Sequence, residues 1–166
     1  MSNVVPSHEV VVVREADAEI LGGGPVTGHL YADSSATGGA LTSQRITLLD
    51  GAGGATPHHH KTASEMFYII SGAADLLAGE RVVTVSAGDL VVVPAGTVHA
   101  FAAAAGHDAD LLIVLTPGVE RFEYFRHLQR IAAGEASLQS ILGVQDRYDN
   151  HFDESPVWQQ ALAARL

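Results

Sequence analysis

Between Val10 and Thr116 the apolar positions fall in short runs rich in β-branched residues, broken by Gly, Pro, Asp and Ser, with hardly any helical periodicity. These runs predict strands at Val10 to Arg14, Gly28 to Ala32, Leu41 to Leu49, Glu65 to Ser71, Ala73 to Leu77, Arg81 to Ser86, Asp89 to Val93, Val98 to Ala103 and Leu111 to Thr116. Short strands with short connections define an all-β unit, a sandwich or barrel. Ser71-Gly72 and Ala78-Gly79-Glu80 read as tight turns, which makes Glu65 through Ser86 a meander. Pro94-Ala95-Gly96 ends one strand before the next begins at Val98, and the glycine-rich stretch Gly51 to Pro57 reads as a flexible loop. Val10 to Val13 and Leu90 to Val93 are apolar on both faces. The outer face of one sheet is therefore expected to be buried against a second subunit, in a homodimer.

Beyond Pro117-Gly118 the period changes. Phe122, Phe125, Leu128 and Ile131 recur at helical spacing within Val119 to Ala133, with shorter helices expected at Glu135 to Leu142 and Pro156 to Leu166. Their apolar stripes are read as packing faces, against the barrel or a second subunit. The expected organisation is one domain over residues 1–166, with a barrel at about 10–116 and helices at about 118–166.

Composition narrows the chemistry. The 166 residues include no cysteine, so a metal would need nitrogen and oxygen ligands. Nine Lys and Arg against nineteen Asp and Glu give a net charge of -10, which opposes binding to nucleic acid. No apolar run approaches the about 20 residues that cross a bilayer, and Met1 to Glu9 has no basic stretch leading into an apolar one. A soluble, cytoplasmic protein without membrane association is expected. Of nine histidines, three are consecutive: His58, His59 and His60.

On an extended strand His58 and His60 leave the same face, while His59 points to the other, toward solvent or the rim. Glu65 lies far enough on for the chain to turn and return a carboxylate beside the pair. His99, just past the Pro94-Ala95-Gly96 turn, can close the set from a neighbouring strand. Three imidazoles and a carboxylate suit one divalent transition metal ion, Fe, Mn, Ni, Co, Cu or Zn, and leave positions open for water, substrate or dioxygen. His8, His29, His107, His127 and His151 show no such spacing and are read as surface or packing residues.

His58, His60, Glu65 and Gly72 resemble the first cupin motif, and Gly88, Pro94, Gly96 and His99 the second. This resemblance implies the cupin double-stranded β-helix, a jelly-roll-like barrel, with His58, His60, Glu65 and His99 as the metal ligands. Two positions depart from the family pattern: Ala52 stands for a glycine and Ala103 for an asparagine. The chain as a whole, including Thr116 to Phe122, is similar to bacterial single-domain cupins of the quercetin 2,3-dioxygenase kind. In those relatives, the helices after the last barrel strand lie near the barrel opening.

Strand parity places Phe67 and Ile69 on the face of Glu65, and Phe101 and Ala103 on that of His99, predicting an apolar substrate pocket. Such a pocket suits a flat aromatic or enol-type small molecule whose hydroxyl meets the ion, with Glu65 as catalytic base. The resemblance implies ring-cleaving dioxygenation, with dioxygen as co-substrate. Two other readings fit the same residues: a non-redox metal-dependent isomerase or cyclase, and a small-molecule-binding cupin without catalysis.

Overall fold

The computed structural model describes residues 9–166, so the expectations for His8 and the segment before it lie outside the described residues. Among the described residues, ten strands and four α-helices follow in order: β1 (Glu19–Gly22), β2 (Val26–Ala32), β3 (Thr42–Leu48), β4 (His58–His59), β5 (Ser64–Ala78), β6 (Arg81–Ser86), β7 (Leu90–Val93), β8 (His99–Ala103), β9 (Ala109–Thr116), α1 (Phe122–Ala132), α2 (Gln139–Leu142), α3 (Gln145–Tyr148), β10 (His151–Phe152) and α4 (Pro156–Ala163). Every pairing is antiparallel, in the order β1-β2-β3-β9-β5-β8-β4-β10, with β6 and β7 also on β5. The fold is the expected cupin β-barrel with a short helical C-terminal segment.

The long strand β5 makes the roll possible, and here the structure corrects the sequence reading. Ser71-Gly72 is not a turn between two strands. The first half of β5 pairs with β9 and β7 and the second half with β8 and β6, so one continuous strand serves both layers. The register slips between Ile69 and Ser71, a bulge that bends the strand and reverses its parity. Glu65, Phe67 and Ile69 are buried before it, whereas Ala74 and Leu76 enter the same core after it. Gly72 is required at the bend: its φ is +74°, and a Cβ would sit 1.9 Å from the Asp108 carbonyl oxygen.

At the N-terminal end, Val10 to Arg14 forms no strand. Val10 and Val12 are 89% and 64% exposed, without a partner strand to bury either face, and the first strand is instead the short edge β1. The helical segment also differs from expectation. Only Gln139–Leu142 of the second predicted helix is helical, and α3 and β10 had no clear sequence signal. Tyr124, Ile141 and Tyr148 form a small core of their own, with Phe125, Leu128 and Phe152 packed against it.

Helix α4 covers the outer face of the second layer. Pro156 opens it and the Ser155 hydroxyl accepts from the Trp158 N–H, a regular N-cap. Trp158 then packs on Leu77, Ala100 and Ala102, which explains why β8 is buried on both faces. Among the described residues no helix is long and apolar enough to cross a membrane.

Candidate metal centre

His58 and His60 are brought to the barrel by a very short strand. Pairing of His58 with His99 aligns β4 against β8, while Phe152 pairs on the other side of His58. Glu65 enters from the start of β5. All four side chains are buried, at 1–4% exposure, and their candidate ligand atoms lie within 4.8 Å of one another. The ring centroid of His58 is 4.9 Å from that of His60 and 4.3 Å from that of His99.

Each imidazole is oriented by a backbone carbonyl. His58 Nδ1 lies 2.7 Å from the oxygen of Thr56, His60 Nδ1 2.6 Å from that of Asp149, and His99 Nδ1 2.9 Å from that of Thr97. A carbonyl only accepts, so each Nδ1 carries the proton and each Nε2 presents a lone pair. Glu65 Oε2 meets two of those nitrogens, at 3.0 Å from His60 and 2.6 Å from His99. Lone pairs facing a carboxylate at such distances repel unless a cation or proton lies among them. The donor set of His58, His60, Glu65 and His99 is therefore compatible with one metal ion.

The electrostatics agree with ligand protonation states. Burial, reinforced by His99, holds His58 well below its ordinary pKa and keeps the ring neutral. Burial opposes ionisation of Glu65, and it is a proton or cation shared with His60 and His99 that holds its carboxyl well below the usual carboxylate range. Asp149 supports the site from the end of α3. Burial works against its charge, yet hydrogen bonds from the Thr62 hydroxyl and the Lys61 and Thr62 N–H groups bring its pKa down to about 2.

The ligands open onto a cavity of about 610 Å³ whose wall includes His58 and Glu65. Leu21, Val26, Leu30 and Ile46 line it from β1 to β3, and Tyr124, Phe125 and Leu128 from α1. The apolar stripe of α1 thus forms a wall of the cavity as well as packing on α2 and α3. Phe101 lines this space. Phe67, Ile69 and Ala103 share the predicted face but are 0% exposed in the barrel core and do not reach the cavity.

His59 departs from a simple solvent-facing role. It is half-buried, stacked on His151 at 5.1 Å, with Nδ1 2.7 Å from Asp153. Sequence reasoning also missed Arg121 and Asn150, both buried and both in the cavity wall. A basic residue before an amphipathic helix reads as a solvated cap, and nothing in the sequence links it to an asparagine 29 residues later.

Fold and site together define a cupin-type barrel with a buried set of three histidines and one glutamate. Residues 44–115 match the family model described as Cupin domain. Several hundred solved chains share the fold. KdgF from Halomonas sp. aligns with a TM-score of 0.56 at 20% identity, over 66% of this chain and 94% of that one. A predicted oxalate decarboxylase from Thermotoga maritima gives 0.56 at 22%, over 63% and 97%. The polyketide cyclase RemF from Streptomyces resistomycificus gives 0.53 at 18%, over 64% and 79%. At these identities the likeness is one of fold. No curated protein matches the chain.

Proposed function

We propose that this protein is a metal-dependent dioxygenase acting on a small aromatic or enol substrate, with ring cleavage of the quercetinase kind. The observation that carries this reading is the buried His58, His60, Glu65, His99 set, of which His58 and Glu65 line a largely apolar cavity of about 610 Å³, a volume suited to a compact organic molecule. When bound, the ion would supply Lewis acidity to a substrate hydroxyl and redox chemistry toward dioxygen. The chain's own contribution is positional and acid–base. The three carbonyl-tethered imidazoles fix the donor geometry, and Phe101, Tyr124 and Phe125 hold a flat ring away from water. Glu65, the one carboxylate of the set, takes the hydroxyl proton.

Non-redox chemistry, as an isomerase or cyclase, is the second reading, supported by the fold likeness to a polyketide cyclase. Oxygen uptake separates the two. Metal-reconstituted protein given a panel of flavonols and catechols is expected to consume dioxygen in step with substrate loss; anaerobic turnover of the same substrate would overturn the dioxygenase reading.

The proposal includes a homodimer. Tyr68, Ile70, Leu90 and Val92 stand exposed on the adjacent strands β5 and β7, an apolar face that a second copy would cover. Light scattering should give twice 17.4 kDa, and a mass of one chain would refute it.

A further inference from the structure

Arg121 lines the cavity beside the candidate ligands, with Nη1 3.5 Å from His60 Nε2. Its guanidinium carbon sits 5.3 Å from the ring centroid of Tyr124 and 5.2 Å from that of Phe125, within cation–π range of both. The residue is 4% exposed, yet no carboxylate pairs with it: among the described residues the arginine ion pairs belong to Arg45, Arg126 and Arg165. Its side-chain partner besides His60 is Asn150, 2% exposed, whose Oδ1 accepts from Nη2 at 3.1 Å.

That bond settles the orientation of the amide. A guanidinium only donates, so Asn150 must turn its oxygen toward Arg121 and leave its NH2 free. Arg121 Nε and Asn150 Nδ2 are both buried without a hydrogen-bond partner. The unsatisfied groups are therefore donors, on or beside a buried and unpaired positive charge. Such a pair is costly alone and is relieved by an anionic acceptor. The rest of the wall, from Leu21 to Leu128, is largely apolar.

We propose that Arg121 and Asn150 form an oxyanion-binding subsite beside the metal ligands, and that the cavity's ligand is an organic anion: a carboxylate or enolate oxygen at that subsite and an apolar body along the groove. This rests on reading the cavity as the substrate site. Arg121 contributes a planar fork that matches a carboxylate or an enolate with a neighbouring oxygen.

The test is calorimetric binding under anaerobic conditions, on chelator-treated and on zinc-loaded protein, with 2-naphthoate, the equally large neutral 2-naphthamide, and 3-hydroxyflavone as the enolate source. Wild type should prefer naphthoate to naphthamide by about tenfold or more, the usual scale for a charge-assisted hydrogen bond. In Arg121→Gln that preference should fall to within about twofold in the metal-free protein, while Arg121→Lys keeps part of it. Asn150→Asp supplies an internal carboxylate to the guanidinium, keeps the Arg121 contact, and should likewise abolish the preference; 3-hydroxyflavone affinity should fall in the same variants. Equal binding of naphthoate and naphthamide to wild type would overturn the proposal, as would a preference that survives Arg121→Gln in both protein forms or that exists only with zinc and ignores the variants. Oxygen uptake plays no part here, so its absence would sink the dioxygenase reading and leave the anion subsite standing.

Discussion

Replacing Glu65 by Gln keeps the shape of the donor set and removes its charge. In wild type, Glu65 Oε2 faces the lone pairs of His60 and His99 at 3.0 and 2.6 Å, an arrangement that a metal ion relieves. The amide introduced by Glu65→Gln would relieve it differently, by donating from its NH2 to an imidazole nitrogen, and the substitution would remove a carboxylate that is only 4% exposed. The metal-free variant is therefore expected to be at least as stable as metal-free wild type. The two proteins should part company when metal is added. Binding at a hundredfold excess over Kd stabilises a native state by about 2.7 kcal/mol. For a chain of this size each kcal/mol moves Tm by about 2–4 °C, so wild type should gain about 5–11 °C. Glu65→Gln, lacking the anionic ligand, should gain less than about 2 °C at the same metal concentration. Scanning calorimetry of chelator-treated protein, titrated with zinc or nickel, gives both quantities. An equal metal-dependent gain in the variant would refute the ligand assignment. A metal-free variant destabilised by more than about 1 kcal/mol would refute the lone-pair argument.

Three further outcomes follow from the geometry. Gly72→Ala places a Cβ 1.9 Å from the Asp108 carbonyl at a positive φ, so it should destabilise by roughly 3 kcal/mol or more, read as a fall in the urea midpoint. Asp149→Ala loses the hydrogen bonds to Lys61 and Thr62 and strains a residue whose φ is 47°. It should lower metal affinity about 10–100-fold in competition with a chelator, because the Asp149 carbonyl orients His60; unchanged affinity would remove Asp149 from the support of the site. Trp158→Ala should cost about 3–5 kcal/mol in unfolding free energy by uncovering Leu77, Ala100 and Ala102, while metal stoichiometry stays at the wild-type value.

The strands and the donor set were legible because both rest on local rules. Period-2 parity puts His58 and His60 on one face, and the Pro94-Ala95-Gly96 turn returns His99 to the same region. What parity does not carry is depth. Phe67 and Ile69 share the face of Glu65 but lie about 7 and 13 Å further along the strand, which takes them from the cavity into the core. Nor does it carry bulges. A positive-φ glycine serves a hairpin and a bent continuous strand alike, so Ser71-Gly72 reads as a turn although β5 runs through it. The helical stripe showed that α1 has a buried face and left open what that face meets. Arg121 and Asn150 come together only through packing of α1 against the segment after α3, a tertiary event with no local signature.

Whether His58, His60, Glu65 and His99 hold one metal ion is tested most directly by anomalous diffraction at the absorption edge of whichever metal copurifies. A single peak is expected about 2.0–2.3 Å from the Nε2 atoms of the three histidines and from a Glu65 oxygen. A peak elsewhere, at His59 and His151 for instance, or none at these four residues in crystals of metal-replete protein, would contradict that assignment.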